Sequence, residues 1–300
     1  MSCLEVSGLG HRYSRDVILE HIDLCVPEGA IYAFLGPNGA GKTTTLRLIL
    51  GLLTVQVGRI CVFGQRLDTD RIAILAKVGS MIEGPSSYDH LSARDNLEVS
   101  RRIHRCPASR IDEVLKLVGL RGTGSKKVRQ FSLGMKQRLA IGTALLHSPK
   151  LLVLDEPTNG LDADGMIEMR HLLAGLNREH GTTILISSHL LAEVGKLATH
   201  VGVISGGRMV FEGTIDQLGS RAPPTVRLST SDDPRAATIL AAAGIESQFV
   251  HGKIVVPAMS ADSVADVNRQ LVESGIGVHD IGIARRDLES LYTELIGVRA

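Results

Sequence analysis

The chain has 300 residues, 44% of them apolar, which is enough for one large domain or two ordinary ones with a well-filled core. A net charge of +1 gives no electrostatic case for binding DNA or a membrane surface. An aromatic fraction of 3% with no Trp argues against a carbohydrate or single-stranded nucleic acid platform, which needs stacking rings.

The N-terminal Met1-Ser2-Cys3-Leu4-Glu5 has no basic stretch followed by an apolar one, so no signal peptide is expected. Val6 to Tyr13 and Ile22 to Val26 read as strands with turn signals between them, and Gly58 to Gly64 as another. Ile31 to Leu35 is a continuous apolar run, the pattern of a strand covered on both faces. A helix is expected over Thr43 to Leu53. The apolar strand Val78 to Ile82 follows, then a mainly helical stretch over residues 85–147. Ser92-Ala93-Arg94-Asp95 reads as a capping box there, and Ile111, Val114, Leu115 and Val118 recur at helical spacing. Leu151 to Leu154 and Ile184 to Ile186 are two more buried-looking strands, and Val201 to Ser205 with Arg208 to Glu212 is a hairpin around Gly206-Gly207.

A boundary is expected near Ser220-Arg221-Ala222-Pro223-Pro224. It divides a domain of residues 1–220 from a small α+β unit of residues 225–300. In the second, Thr225 to Ser229, Ser247 to Val250, Lys253 to Val256 and Gly277 to Ala284 read as strands. Asp233 to Ala243, Ser260 to Ser274 and Leu288 to Ile296 read as helices. The βαββαβ order matches the ferredoxin-like arrangement. No apolar run nears the ~20 residues that span a bilayer. Cys3, Cys25, Cys61 and Cys106 lack CxxC spacing and read as reduced thiols of a cytosolic protein.

Three of the apolar runs end in groups that handle phosphates. Ile31 to Leu35 leads into Gly36-Pro37-Asn38-Gly39-Ala40-Gly41-Lys42-Thr43, which satisfies GxxxxGK[ST]. Glycines let successive backbone N–H groups close on phosphate oxygens, and the following helix adds its positive end. Lys42 suits the β- and γ-phosphates and the Thr43 hydroxyl a magnesium ion. Leu151 to Leu154 leads into Asp155-Glu156, adjacent carboxylates that are costly at a strand end unless they meet a cation. Asp155 then holds the metal, and Glu156 polarises the attacking water as general base. Ile184 to Ile186 leads into Ser187-Ser188-His189. Ligands of parallel sheets sit beyond the carboxyl ends of the strands, so the three ends imply one site for a nucleoside triphosphate with Mg²⁺.

Gly36 to Thr44, Phe131-Ser132-Leu133-Gly134-Met135-Lys136-Gln137-Arg138, Leu154 to Asp162 and Ser188-His189 occur in the order found in ABC-transporter nucleotide-binding subunits. The resemblance covers about residues 1 to 215. It implies a P-loop NTPase core of the ABC ATPase kind, with an antiparallel β subdomain and a helical signature subdomain. Ser132 and Gly134 occupy the signature positions, which contact the γ-phosphate held by the opposite subunit; alone, Ser132 reads as an N-cap. Phe131 to Met135 departs from the commoner LSGGQ, keeping the Ser and the second Gly. His189 resembles the switch histidine. Asp162 resembles the residue that bridges the two subunits, and an Asx turn or N-cap is an equally available reading. Tyr13 resembles the ring that stacks on adenine, where packing is the plainer reading of a half-buried Tyr.

Most ABC subunits carry Gln where Met81-Ile82-Glu83-Gly84-Pro85 has Glu83, a carboxylate that could accept from metal-bound water. Glu83 followed by Gly-Pro is similar to lantibiotic-export subunits, and FSLGMKQR is similar to the bacitracin-exporter ATPase group. That group also has a short C-terminal extension like the one ending Asp287-Leu288-Glu289-Ser290-Leu291. The resemblance implies a homodimer with two ATP molecules at its interface, on the cytoplasmic face of the membrane. There it would energise export of an antimicrobial peptide or drug through a separate transmembrane permease, with residues 85–96 meeting that partner. An importer subunit, and a soluble ABC ATPase acting on ribosomes or DNA, are the competing readings. Against the latter stand the single cassette, the short interval from Lys42 to Ser132 and the near-neutral charge, so no nucleic acid partner is expected.

Overall fold

Ile31–Leu35, Leu151–Asp155 and Thr183–Ser188 are buried at every position, as strands covered on both faces must be. They are the centre of a six-stranded sheet in a computed structural model that describes residues 1–221, 224–250, 252–284 and 288–297. The strand order is Arg208–Thr214, His200–Ser205, Ile31–Leu35, Thr183–Ser188, Leu151–Asp155, Val78–Met81. Pairing is parallel throughout except in the expected hairpin of the first two. The register sets Leu35 beside Ser188, Ser187 beside Asp155 and Leu154 beside Met81. The chain therefore leaves four strands at one edge of the sheet, through Gly36, Glu156, His189 and the turn containing Glu83.

A second, antiparallel sheet has the order Asp16–Pro27, Ser2–Tyr13, Val57–Val62, Gln65–Arg66. Leu4, Leu9, Leu24 and Ile60 from it share a core with Tyr32 and Phe34 of the glycine-loop strand and Leu46 and Leu48 of the helix that follows. Each such side chain contributes roughly 1.5–3 kcal/mol when taken out of water.

The glycine-loop helix is Lys42–Ile49, shorter than the expected Thr43 to Leu53. Gly51 takes a left-handed φ of 62°. The Gly51 N–H then bonds the Leu48 carbonyl at 3.0 Å and the Leu52 N–H bonds that of Arg47 at 2.8 Å, a Schellman ending. Helix Leu67–Leu75 was not expected. It buries only Leu67 and Ile74 and kinks at Asp70, so its sequence carries little helical periodicity.

The stretch over residues 85–147 contains helices Ala93–His104, Ser109–Leu117 and Leu133–Leu145. The first opens on the expected capping box. Ser92 Oγ accepts the Asp95 N–H at 3.2 Å, and the Ser92 N–H donates to Asp95 Oδ2 at 3.1 Å. The Ser92 hydroxyl, with its backbone N–H, holds the Asp95 carboxyl below the usual carboxylate range. Ser92→Ala is expected to lower the unfolding free energy by about 1 kcal/mol, seen as an earlier urea midpoint at unchanged slope.

The chain divides into two units, Met1–Ile215 with the residues from Leu295, and Asp216–Glu294. The break falls after Ile215, the first residue of helix Ile215–Ser220, a little ahead of the expected boundary. The second unit runs strand Thr225–Thr230, helix Asp233–Ala242, strands Gln248–Val250 and Lys253–Pro257, helix Ala261–Glu273, strand Val278–Ala284. Its antiparallel sheet has the order Gln248–Val250, Lys253–Pro257, Thr225–Thr230, Val278–Ala284, over a core that includes Val226, Leu228, Leu240, Ile254 and Leu271. Ala222 and Pro223 of the expected boundary, His251 of the expected turn, and Asp287 lie outside the described residues.

Candidate nucleotide site

The glycine loop begins where no side chain fits. A Cβ on Gly36 would stand 2.4 Å from the Ile204 carbonyl oxygen. At its far end Gly41 has φ +106°, and a Cβ there would stand 2.5 Å from Leu19 Cδ2. Asn38, Gly39 and Ala40 lie between, with the Ala40 N–H on the Pro37 carbonyl at 3.2 Å. Helix Lys42–Ile49 then starts with no side chain capping its first turn. N–H groups of Lys42, Thr43 and Thr44 are left for an anion, helped by the helix dipole.

Lys42 is only 6% exposed. Its Nζ donates to the Gly36 carbonyl at 2.7 Å and the Pro37 carbonyl at 3.3 Å, and stands 3.3 Å from Glu156 Oε1. The ammonium thus lies over its own loop, between backbone oxygens and a carboxylate. Thr43 Oγ1 donates to Asp155 Oδ2 at 2.9 Å. Asp155 is itself buried and accepts from Ser187 Oγ at 2.5 Å. Ser187 Oγ also accepts the Glu156 N–H at 2.9 Å. Ser187 therefore clamps both carboxylate residues. Sequence reasoning gave it no role, although a Ser breaking an apolar run on a buried strand was the available signal.

Glu156 has a left-handed φ of 48°, a strained setting for a non-glycine residue. Its Oε2 lies 2.9 Å from His189 Nδ1. Lys42, Glu156 and His189 are thus one connected line, brought together from three strand ends.

Glu83, expected as a ligand of the metal, makes its ion pair with Arg47. Strand Val78–Met81 ends one residue early, and Glu83 and Gly84 both take positive φ. The turn carries the Glu83 carboxylate to Arg47, on the glycine-loop helix, rather than to Thr43 and Asp155. A guanidinium is a better neighbour for this carboxylate than a second carboxylate.

Tyr13 is half-exposed at the hairpin end, paired in register with Asp16. Ile18 and Leu19 of the same hairpin line Gly41, so this end of the sheet packs on the loop. The Tyr13 ring meets buried His11 edge-on, with centroids 4.8 Å apart and planes at 82°. Among the described residues, neither buried ring nitrogen of His11 has a hydrogen-bond partner, and the sequence did not single this residue out.

Ser132 caps helix Leu133–Leu145 by accepting the Met135 N–H at 3.3 Å, with Gly134 in the first turn. Asp162 caps helix Ala163–His180 by accepting the Gly165 N–H at 2.9 Å. Among the described residues, no hydrogen bond or ion pair joins Ser132, Gly134 or Asp162 directly to Lys42, Asp155 or Glu156.

The donor set fits magnesium. One carboxylate and one hydroxyl, beside a phosphate-binding loop, match the way Mg²⁺ is held by few protein oxygens plus phosphate. Among the described residues, no group of three His, Cys, Asp or Glu side chains could hold a metal by itself. Also among them, no helix is long and apolar enough to cross a membrane.

The sequence profile of the family described as ABC transporter matches residues 19–159. The chain is 40% identical to the bacitracin transport ATP-binding protein BcrA of Bacillus licheniformis over 299 residues, 98% of this chain and 97% of that protein. It is 42% identical to the lantibiotic transport ATP-binding protein SrtF of Streptococcus pyogenes over 213 residues, 71% of this chain and 91% of that protein. Among solved structures it is similar to cbiO1 from Clostridium perfringens, part of the ABC transporter complex cbiONQ. The TM-score is 0.68 at 29% identity, over 73% of this chain and 91% of that one.

Proposed function

The chain belongs to the ABC transporter family as an ATP-binding, ATP-hydrolysing exporter subunit, and from that premise we propose that it energises efflux of an antimicrobial peptide or amphipathic drug through a separate membrane subunit. The observation that carries the site assignment is the line Lys42–Glu156–His189 over the glycine loop. The cargo rests on the likeness to a bacitracin and a lantibiotic transport protein.

In this reading Gly36 to Thr44 bind the triphosphate of ATP through backbone N–H groups, and Tyr13 stacks on the adenine. Lys42 leaves the Gly36 and Pro37 carbonyls for the β- and γ-phosphate oxygens. Removing Lys42 from Glu156 frees that carboxylate to accept a proton from the water that attacks the γ-phosphorus in line with the departing ADP. His189 keeps the carboxylate oriented and donates toward the γ-phosphate. Thr43 and Asp155 would hold Mg²⁺, which neutralises phosphate charge when bound. Ser187 holds Asp155 and the Glu156 backbone in place.

Ser132, Gly134 and Asp162 serve the nucleotide of a second copy, so the working form is a homodimer with two ATP molecules between the subunits. The helix start at Ser132, with no acidic residue in its first turn and no direct bond to the Lys42 site of its own chain among the described residues, supports this. The subunit sits on the cytoplasmic face of the membrane, bound to the permease through the segment after Glu83. The unit Asp216–Glu294 is a ferredoxin-like accessory domain serving regulation or dimer contact.

Co-expression with the membrane protein encoded beside it, followed by purification from detergent, tests the reading. A stable complex that hydrolyses ATP is the expected result. Failure to hold any membrane partner, with the protein sedimenting instead with ribosomes or DNA, would overturn it.

A further inference from the structure

Helix Leu133–Leu145 and the turn 159–162 are tied together by residues the mechanism has not used. Gln137 is 3% exposed and its Nε2 donates to the Asn159 carbonyl at 3.0 Å. Its Oε1 is buried and has no partner among the described residues. A position needing only bulk would suit Leu or Met, with no acceptor left unsatisfied; the amide is explained by its donor. Leu133, where the commoner signature has glycine, packs over Gly160. A Cβ on Gly160 would stand 2.9 Å from Leu133 Cδ2, and Gly160 has φ +74°. A Cβ on Gly134 would in turn meet Leu161 Cδ2 at 3.4 Å. The altered signature and the glycine of the next turn therefore interlock. Finally, the Asn159 N–H donates to the Glu156 carbonyl at 3.1 Å. An unbroken run of contacts leads from Ser132, through the helix, Gln137 and Asn159, to the backbone of Glu156.

We propose that Gln137 and Leu133 are positioning residues that couple the signature loop of a subunit to the catalytic carboxylate of the same subunit. This rests on the dimeric reading above, in which Ser132 meets the partner's nucleotide and Glu156 acts on the subunit's own. Engagement of Ser132 at one ATP then adjusts Glu156 at the other, and the two hydrolysis events become interdependent. Asn159 carries the adjustment because its carbonyl faces Gln137 while its N–H faces Glu156.

The test is ATP titration of the complex with its membrane partner, comparing wild type with Gln137→Met and Leu133→Ala. Gln137→Met keeps volume and removes both the donor and the orphaned oxygen, so Tm should not fall. Leu133 is 43% exposed, which makes its truncation safe for the fold should the first variant misfold. The expected result is kcat about tenfold lower with ATP affinity within about twofold, and a Hill coefficient moving toward one. A kcat and Hill coefficient equal to wild type in both variants would overturn the proposal. So would a loss of kcat that merely tracks falling Tm and falling ATP affinity, the mark of a purely structural role. A wild-type complex that turns over no ATP strikes the functional reading itself, and is told apart because the failure precedes any substitution.

Discussion

Glu156→Gln is expected to bind ATP but hydrolyse it about 10²–10⁴-fold more slowly, the usual worth of a general base. The amide keeps the size of the side chain and can still meet His189 Nδ1, 2.9 Å from Glu156 Oε2. It cannot take the proton of the attacking water. Under the dimeric reading the ATP-bound pair then persists, because hydrolysis is what reopens it. Size-exclusion chromatography with ATP and Mg²⁺ should show a dimer for the variant, alongside single-turnover rates for both proteins. A variant that hydrolyses at the wild-type rate would show that the base is another group.

Lys42→Met should lower kcat/KM by about 10²–10³-fold, the scale for removing one preorganised donor from developing charge. The fold should tolerate it. Among the described residues, Lys42 bonds the Gly36 and Pro37 carbonyls and pairs with Glu156, so its loss removes no bond outside the loop and the site. Binding of a fluorescent ATP analogue should weaken together with turnover, which separates this variant from Glu156→Gln. Retention of full affinity would mean that the loop N–H groups alone hold the phosphates.

The parts legible in the sequence are those whose chemistry is written in consecutive residues. The glycine loop, Asp155-Glu156 and His189 each follow an apolar run. A parallel sheet brings such ends together whatever the connections between them. The Ser92 and Asp162 caps were legible for the same local reason. The tie between Ser187 and Asp155 was not, because it depends on the register of two strands distant in the chain. Nor was the partner of Glu83. That Arg47 faces it follows from a short strand and two positive φ angles, which no residue pattern announces. Gln137 read as an unremarked part of FSLGMKQR until Asn159 stood opposite it. Helix Leu67–Leu75 was missed because its apolar face is too thin to give a periodic signal.

The left-handed backbone at Glu156 sets this residue against heat resistance. For a side chain with a Cβ that conformation costs roughly 1–2 kcal/mol, a penalty glycine escapes. A library ranked by thermal survival alone would favour glycine there and, round by round, discard the proton acceptor. Stabilised forms of this subunit have to be selected on turnover as well as on endurance, since the two demands part company at one torsion angle.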